Sequence, residues 1–205
     1  MAQTRKSKSL ADVQRAAKRC RACPLWRNAT QTVFGEGPSA ARIFILGEQA
    51  GDQEDRAGVP FVGPAGQLLD RALSDVGIRR EEVYVTNVVK HFKFELRGKR
   101  RLHKRASAAE VEACLQWLER ELERVQARHV VCLGAVAARV MLGSAFRLTA
   151  QRGEWIALDD GRWCLATVHP AFVLRSRIGG DGEKAYREFV ADLKQLRKLP
   201  RRVET

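Results

Sequence analysis

Two rhythms run through the apolar positions of the chain. Short unbroken apolar runs at residues 42–46, 83–85, 129–133 and 163–168 read as buried strands. Around them, apolar residues recur every three or four positions, as on one face of a helix. Ser9 caps a predicted helix over residues 10–19. Residues 64–76 place Leu68, Leu69, Ala72, Leu73 and Val76 on one face, and Gly77 ends that helix. Ser107 and Glu110 form a capping box that opens a helix running to residue 125. A short helix at 135–142 and an amphipathic one at 183–198 complete the set. Strands alternating with helices predict a three-layer α/β/α domain around a central, largely parallel four-stranded sheet. Residues 91–106 follow neither rhythm and read as a long polar loop. The expected organisation is one domain over residues 9–199, a basic flexible tail at 1–8 and a second tail at 200–205.

The polar residues that follow the strands are the first chemical clue. Glu48 and Gln49 come after the first apolar run, Asn87 after the second and His169 after the last. In an open parallel sheet, ligands bind in the crevice at the carboxyl ends of the strands. These side chains are therefore expected to converge on one site.

Charge narrows the partner. The 205 residues carry 37 Lys plus Arg against 24 Asp plus Glu, a formal net charge of +13. Such an excess suits a polyanion, nucleic acid ahead of a membrane surface. No apolar run approaches the ~20 residues of a spanning helix. The first eight residues are polar and basic, unlike a secretory signal. The expectation is a cytoplasmic, nucleoid-associated protein with no membrane partner. Five cysteines without an export signal point to a reducing compartment and to ligation rather than disulfides.

One histidine lies inside a basic run, Arg97-Gly-Lys-Arg-Arg-Leu-His103-Lys-Arg105. Flanking cations disfavour a second proton on imidazole, so His103 is expected to be neutral near pH 7. A neutral imidazole is a nucleophile, and the cations would hold a phosphate backbone beside it. The plainer account of this run is a solvated basic loop.

Cys20 and Cys23 form a C-x2-C pair, and Cys114 and Cys132 are separated by seventeen residues. Four thiolates can hold zinc or an iron–sulfur cluster, and spacing alone favours zinc. Buried, inert thiols are the alternative for Cys114 and Cys132. Cys164, in an apolar run, reads as a core thiol.

Several segments together resemble one family. Gly47-Glu-Gln-Ala-Gly-Asp-Gln-Glu-Asp55, Pro60-Phe-Val-Gly-Pro-Ala-Gly66, Val85-Thr-Asn87 and Val168-His-Pro170 resemble the motifs of uracil-DNA glycosylases. The cysteine pairs resemble the [4Fe–4S] ligands of the family 4 branch. Lys99-Arg-Arg-Leu-His103 resembles the defining insertion of UdgX, the branch that becomes covalently attached to uracil-containing DNA. Gln49 is similar too, since that branch carries Gln where ordinary family 4 enzymes have a small residue. The resemblance runs from Cys20 to the last helix. It implies a [4Fe–4S] cluster on Cys20, Cys23, Cys114 and Cys132; the spacing by itself does not.

The resemblance also implies a role for each site residue. A glycosylase takes uracil out of the base stack and holds it in a pocket. Phe61 would stack on the base, and Asn87 would pair with its edge, separating uracil from cytosine through both amide groups. His169 would donate to uracil O2 as charge builds on the departing base. Glu48 would stabilise the sugar cation, orient water or take a proton from His103. Backbone amides from Gly47 to Gly51 would approach the ligand. Gln49 would fix His103 toward the sugar, and His103 would capture C1′. Asp52 is a secondary candidate, while Glu54 and Asp55 read as loop structure or solvated charge. Lys90 would neutralise charge near the pocket, or simply face solvent. Arg101 would contact phosphate. Many uracil glycosylases have Ser after His-Pro, where this chain has Ala171; Leu174 is then a candidate wedge and Arg175 a candidate backbone contact.

The implied partners are uracil-containing single-stranded DNA and free uracil, with the protein a monomer. Two rival functions share these features. One is a turnover glycosylase that uses water and releases an abasic site. The other is a non-catalytic nucleic-acid-binding module with a four-cysteine metal site.

Overall fold

The computed structural model describes residues 9–201; the tail at 1–8 and residues 202–205 lie outside the described residues. In chain order the elements are α1 (Leu10–Ala17), β1 (Ile43–Gln49), α2 (Asp52–Ala57), α3 (Pro64–Asp75), β2 (Val83–Val89), β3 (Phe94–Arg97) and β4 (Arg100–His103). They continue as α4 (Ala108–Arg124), β5 (His129–Leu133), α5 (Ala135–Leu142), α6 (Leu148–Gln151), β6 (Trp155–Ala157), β7 (Trp163–Thr167), α7 (Pro170–Ser176) and α8 (Gly182–Leu193). The capping boxes at Ser9 and Ser107 both form, each hydroxyl accepting from the third residue of its helix.

The main sheet has five strands, not four, in the order β2-β1-β5-β7-β6. β1, β2, β5 and β7 are parallel, and β6 pairs antiparallel on the edge against β7. β6 escaped the hydrophobic pattern because it has three residues, none of them fully buried. Strand alternation sorts the core into two layers. Phe44, Leu46, Tyr84, Val130, Cys132, Cys164 and Ala166 face α1, α4 and α5. Ile43, Ile45, Val83, Val85, Val131, Leu133 and Leu165 face α3, α7 and α8.

Two further differences place the site. β1 and β2 run past their apolar runs, and register pairs Gly47 with Asn87 and Gln49 with Val89. Glu48, Gln49 and Asn87 thus belong to strands rather than to the loops after them. Backbone pairing carries them there, although their side chains are polar. The segment 91–106, expected as a loop, contains the antiparallel hairpin β3–β4, turned by Gly98 at φ 62°. Its strands lie outside the main sheet, and the alternation of Phe94 and Leu96 with Glu95 and Arg97 spans only four residues and is not matched in β4, so the pattern is too short to read as a strand. No helix among the described residues is long and apolar enough to cross a membrane.

Candidate active site

A cavity of ≈ 130 Å³ lies above the carboxyl ends of β1 and β2 and is lined by Gln49, Gly51, Glu54, Phe61, Ala65, Asn87, His103, His169 and Ala171. Ligand pockets for drug-sized molecules start near ~300 Å³, so this one suits a single flat ring. Three wider depressions elsewhere are more open.

Asn87 forms one wall. Its Oδ1 is buried and has no hydrogen-bond partner within the protein, although β2 is buried throughout. A buried amide oxygen left unpaired is costly, which marks it as waiting for a donor. Gly47, opposite it in β1, permits this approach. A Cβ there would stand 2.3 Å from Asn87 Oδ1 and 2.6 Å from Phe61 Cζ. Phe61 forms the facing wall and adopts φ 58°, a conformation rare outside glycine. Its carbonyl sits where any side chain on Gly66 would fall, with a Cβ only 1.7 Å away. Glu54 joins the flanking loops. Its carboxylate accepts from Gly51 N at 3.1 Å and from Gly63 N at 2.8 Å. The Gly51 amide is therefore spent inside the protein. Glu54 and Asp55 are both buried, so of the two expectations, loop structure and solvated charge, the structure agrees with the first. The alternation of charge and polarity in that segment gave no sign of the burial.

His169 caps α7, with Nδ1 accepting from Ala171 N at 3.1 Å. The neutral ring therefore carries its proton on Nε2, a donor for an acceptor in the cavity. Burial, followed by the charge of Arg175 and coupling to His103, pushes its pKa down to about 4. Its ring lies 6.1 Å from that of Phe61 at an interplanar angle of 28°.

The hairpin brings His103 to the rim. Gln49 Nε2 donates to Lys104 O at 2.7 Å, which identifies that end of the side chain as the amide nitrogen. The same nitrogen lies 2.7 Å from His103 Nε2, so it donates there as well. His103 Nε2 thus presents a lone pair, and Nδ1 holds the proton. Burial is the largest cause lowering the His103 pKa; Glu48 opposes it, and Arg175 and Arg105 add to it. The flanking cations are thus a secondary influence.

Arg101 anchors this hairpin. Its guanidinium pairs with Asp52 and, at 2.6 Å, with Asp55 Oδ2, and also reaches Thr30 Oγ1 at 3.2 Å. It lies 5.4 and 5.0 Å from the ring centroids of Phe92 and Phe94. With its donors engaged and its side chain 12% exposed, Arg101 holds the hairpin to α2 and is not presented as a phosphate contact. Asp52 and Asp55 are its counter-ions.

This geometry has relatives. The uracil DNA glycosylase superfamily model matches residues 34–194. The chain belongs to the uracil-DNA glycosylase superfamily. The type-4 uracil-DNA glycosylase of Thermotoga maritima is 38% identical over 166 residues, covering 80% of this chain and 83% of that protein. That of Archaeoglobus fulgidus is 38% identical over 174 residues, covering 81% and 83%. A type-5 uracil-DNA glycosylase from Pyrobaculum aerophilum is 31% identical over 170 residues, covering 72% and 71%.

Within this superfamily member, the remaining site candidates divide. Glu48 is half-buried in β1 and 3.9 Å from Arg105 Nε; it acts on His103 through its charge but does not line the cavity. Arg175 is exposed on α7 and influences both histidines. Leu174 is partly buried against the core, whereas Phe172 and Ile178 beside it are 48% and 91% exposed. Lys90 neither faces solvent nor lines the cavity. It is fully buried and paired with Glu121.

The cysteines also divide. Lys90 N donates to Cys114 Sγ at 3.3 Å, and the Cys114 thiol is influenced by Cys23 and Cys20. Trp117 Nε1 donates to Cys20 Sγ at 3.1 Å. Burial pushes the Cys114 thiol up to about 11. Cys132 is not brought to this group. Its Sγ lies 3.5 Å from Cys164 Sγ inside the sheet. Register sets Cys132 level with Leu46 and Thr86, two strands from β2 and four residues short of Lys90. At ~4.8 Å per strand and ~3.3 Å per residue, its Cα is about 16 Å from that of Lys90, too far to share a metal with Cys114.

His91 follows Lys90, whose amide contacts Cys114, and is tied through Thr32 to the segment that carries Cys20. Thr32 Oγ1 donates to Ala17 O at 3.1 Å, the same carbonyl that accepts from Cys20 N at 2.9 Å. With its hydrogen committed, Thr32 accepts from His91 Nε2–H at 3.0 Å. Burial lowers the His91 pKa, so the ring is neutral and Nδ1 is a bare lone pair, buried and unpartnered. A hydrogen-bonded Nε2–H with a free Nδ1 is the tautomer of a metal-ligating histidine. Among the described residues no closed metal-ligand set of three or more His, Cys, Asp or Glu is preformed. Three thiols and a bare imidazole nitrogen nevertheless suit a thiophilic metal group in their chemistry.

Proposed function

We propose that this protein excises uracil from single-stranded DNA and that His103 captures the resulting sugar, as in the UdgX branch its sequence resembles. Uracil enters the cavity between Phe61 and His169, and its edge meets the unpaired Asn87 amide. The C1′–N1 bond breaks with its electron pair leaving on uracil, stabilised by the His169 Nε2–H donor. Glu48, whose charge reaches His103, would stabilise the sugar cation from outside the cavity lining. His103 Nε2 exchanges its hydrogen bond from Gln49 for a bond to C1′, and the Nδ1 proton passes to Glu48 or solvent. The uracil anion takes a proton from solvent, and the products are free uracil and a DNA–protein adduct. One observation carries this reading: a histidine lone pair is held at the rim of the same cavity that contains Asn87 and His169.

The same resemblance supports a [4Fe–4S] cluster, held by Cys20, Cys23, Cys114 and His91 rather than by Cys132. When bound it supplies a cross-link between the N-terminal segment, α4 and the end of β2. No catalytic step requires it.

Incubation with uracil-containing single-stranded DNA followed by a denaturing gel tests the proposal. The wild-type protein gives a shifted band whose deoxyribose maps to His103. His103→Ser loses the band yet releases uracil, because water fills the vacant place. An alkali-labile nick from the wild type identifies the turnover reading instead, and neither product identifies simple binding. An adduct that persists in His103→Ser, or maps elsewhere, overturns the mechanism.

A further inference from the structure

The residue under Asn87 explains how an amide can be held still at the edge of a sheet. β2 is the outer strand of the main sheet, so its outward-facing peptides lack a strand partner. Val85 resolves this with Glu36, exchanging hydrogen bonds of 2.8 and 2.9 Å. Asn87 is the next outward-facing residue, two positions on. Its carbonyl accepts instead from Lys90 Nζ at 2.6 Å. Lys90 Nζ also donates to Thr86 Oγ1 at 2.7 Å and to Glu121 Oε2. Glu121 then accepts from Tyr84 OH and Gly35 N, each at 2.9 Å, and from Thr86 Oγ1 at 3.0 Å. Lys90 and Glu121 are both 0% exposed.

A buried ion pair is weak evidence for stability, because desolvation offsets much of its attraction. Its constraint here is geometric. Three donors on one ammonium fix one carbonyl, one hydroxyl and one carboxylate, and the carbonyl belongs to the residue whose side-chain oxygen is unpaired in the cavity. The backbone of Lys90 meanwhile donates to Cys114.

We infer that Lys90 and Glu121 are positioning residues for Asn87: their buried pair clamps the Asn87 peptide so that its amide meets the uracil edge in a fixed orientation. The inference rests on the reading of Asn87 as the base-reading residue. It assigns Lys90 a role from beneath the pocket and none in touching DNA.

A double-mutant cycle separates this from a general structural role. Lys90→Met with Glu121→Gln removes both charges while keeping similar volumes. The variant is compared with the wild type and again in an Asn87→Ala background. Single-turnover uracil release is measured with enzyme in excess, alongside thermal unfolding, iron content and affinity for DNA without uracil. The expected result is a roughly 100-fold loss of rate, the scale of a 1 Å misplacement. Iron and DNA affinity stay unchanged, and the loss vanishes in the Asn87→Ala background. An equal loss in both backgrounds, or none in the wild type, overturns the inference. Should the double variant fail to fold, Thr86→Val removes only the bridging hydroxyl and enters the same cycle with the same criteria. Full excision by Asn87→Ala alone would instead overturn the reading of Asn87, a distinct outcome.

Discussion

Asn87 projects from a parallel sheet covered on both faces, whereas His103 rides on a two-stranded hairpin whose tip residues are exposed. The first is held by strand register, core packing and a buried ion pair. The second is held by one arginine against two aspartates and by one glutamine side chain. A lone hairpin is marginal in water, so those polar ties determine where His103 stands. On the proposed mechanism, base reading is thus built into the core, and sugar capture is attached to it. A chain could lose the second without losing the first, which is the separation that His103→Ser is expected to display.

Changes in the core half should cost most. Asn87→Ala removes the unpartnered cavity amide that we propose pairs with the base edge. Sites built around such a pairing discriminate by ~10⁴ to 10⁵. Excision should fall by about that factor, while binding of uracil-free DNA in a filter assay stays near wild type. Undiminished excision by a folded variant would erase the contrast between the two halves.

The cysteine site offers a sharp comparison of its own. His91→Ala should purify with its iron and acid-labile sulfide largely lost. Cys132→Ser should keep both, since Cys132 sits beside Cys164 and apart from the other thiols. Iron lost from Cys132→Ser and retained by His91→Ala would restore the four-cysteine set.

An intermediate effect is expected in the attached half. Arg101→Gln leaves Asp55 buried without its cation, a change costing about 3 kcal/mol in comparable pairs. Adduct yield should drop on the order of 100-fold, as expected for a misplaced reacting group. Uracil release should change far less, because Asn87 and His169 do not depend on the hairpin. Equal losses in both assays would show the halves to be one unit.

The smallest expected effect concerns pH. Adduct formation needs an unprotonated His103 Nε2, and the His103 pKa lies below the ordinary histidine value of ~6.5. The acid limb of its rate should therefore lie below pH 6.5. Arg175 lowers the pKa of both histidines, so Arg175→Gln should move that acid limb to higher pH. The sign for stability follows from His169. It is neutral in the fold down to about 4, while the unfolded ring takes a proton near 6.5. The stability that His169 contributes is therefore fully present above pH 6.5 and is lost as pH falls from there toward 4. An acid limb that moves downward in Arg175→Gln would remove Arg175 from the site.

The four long strands, the principal helices and both capping boxes were legible in the chain, because buried runs and cap chemistry are local properties. The motifs containing Phe61, Asn87, His103 and His169 were legible too, and these residues do share one cavity. The hairpin at residues 91–106 and the edge strand β6 were not, since neither presents an uninterrupted apolar run. Arg101 and Lys90 resist reading for a related reason. A cation looks the same in sequence whether it meets phosphate, water or a buried carboxylate.

The sequence alone determined which chemical groups this protein carries: the glycosylase motifs, a basic surface, thiols, and a histidine within a cationic segment. Only the tertiary structure decided which groups meet. It set Cys132 against Cys164 and put His91 near the other cysteines. It enclosed Lys90 with Glu121, and it turned the His103 lone pair toward Gln49. Those choices depend on register and on strand order, which pair residues dozens of positions apart. No local periodicity encodes them, because burial and hydrogen-bond satisfaction are properties of the assembled layers.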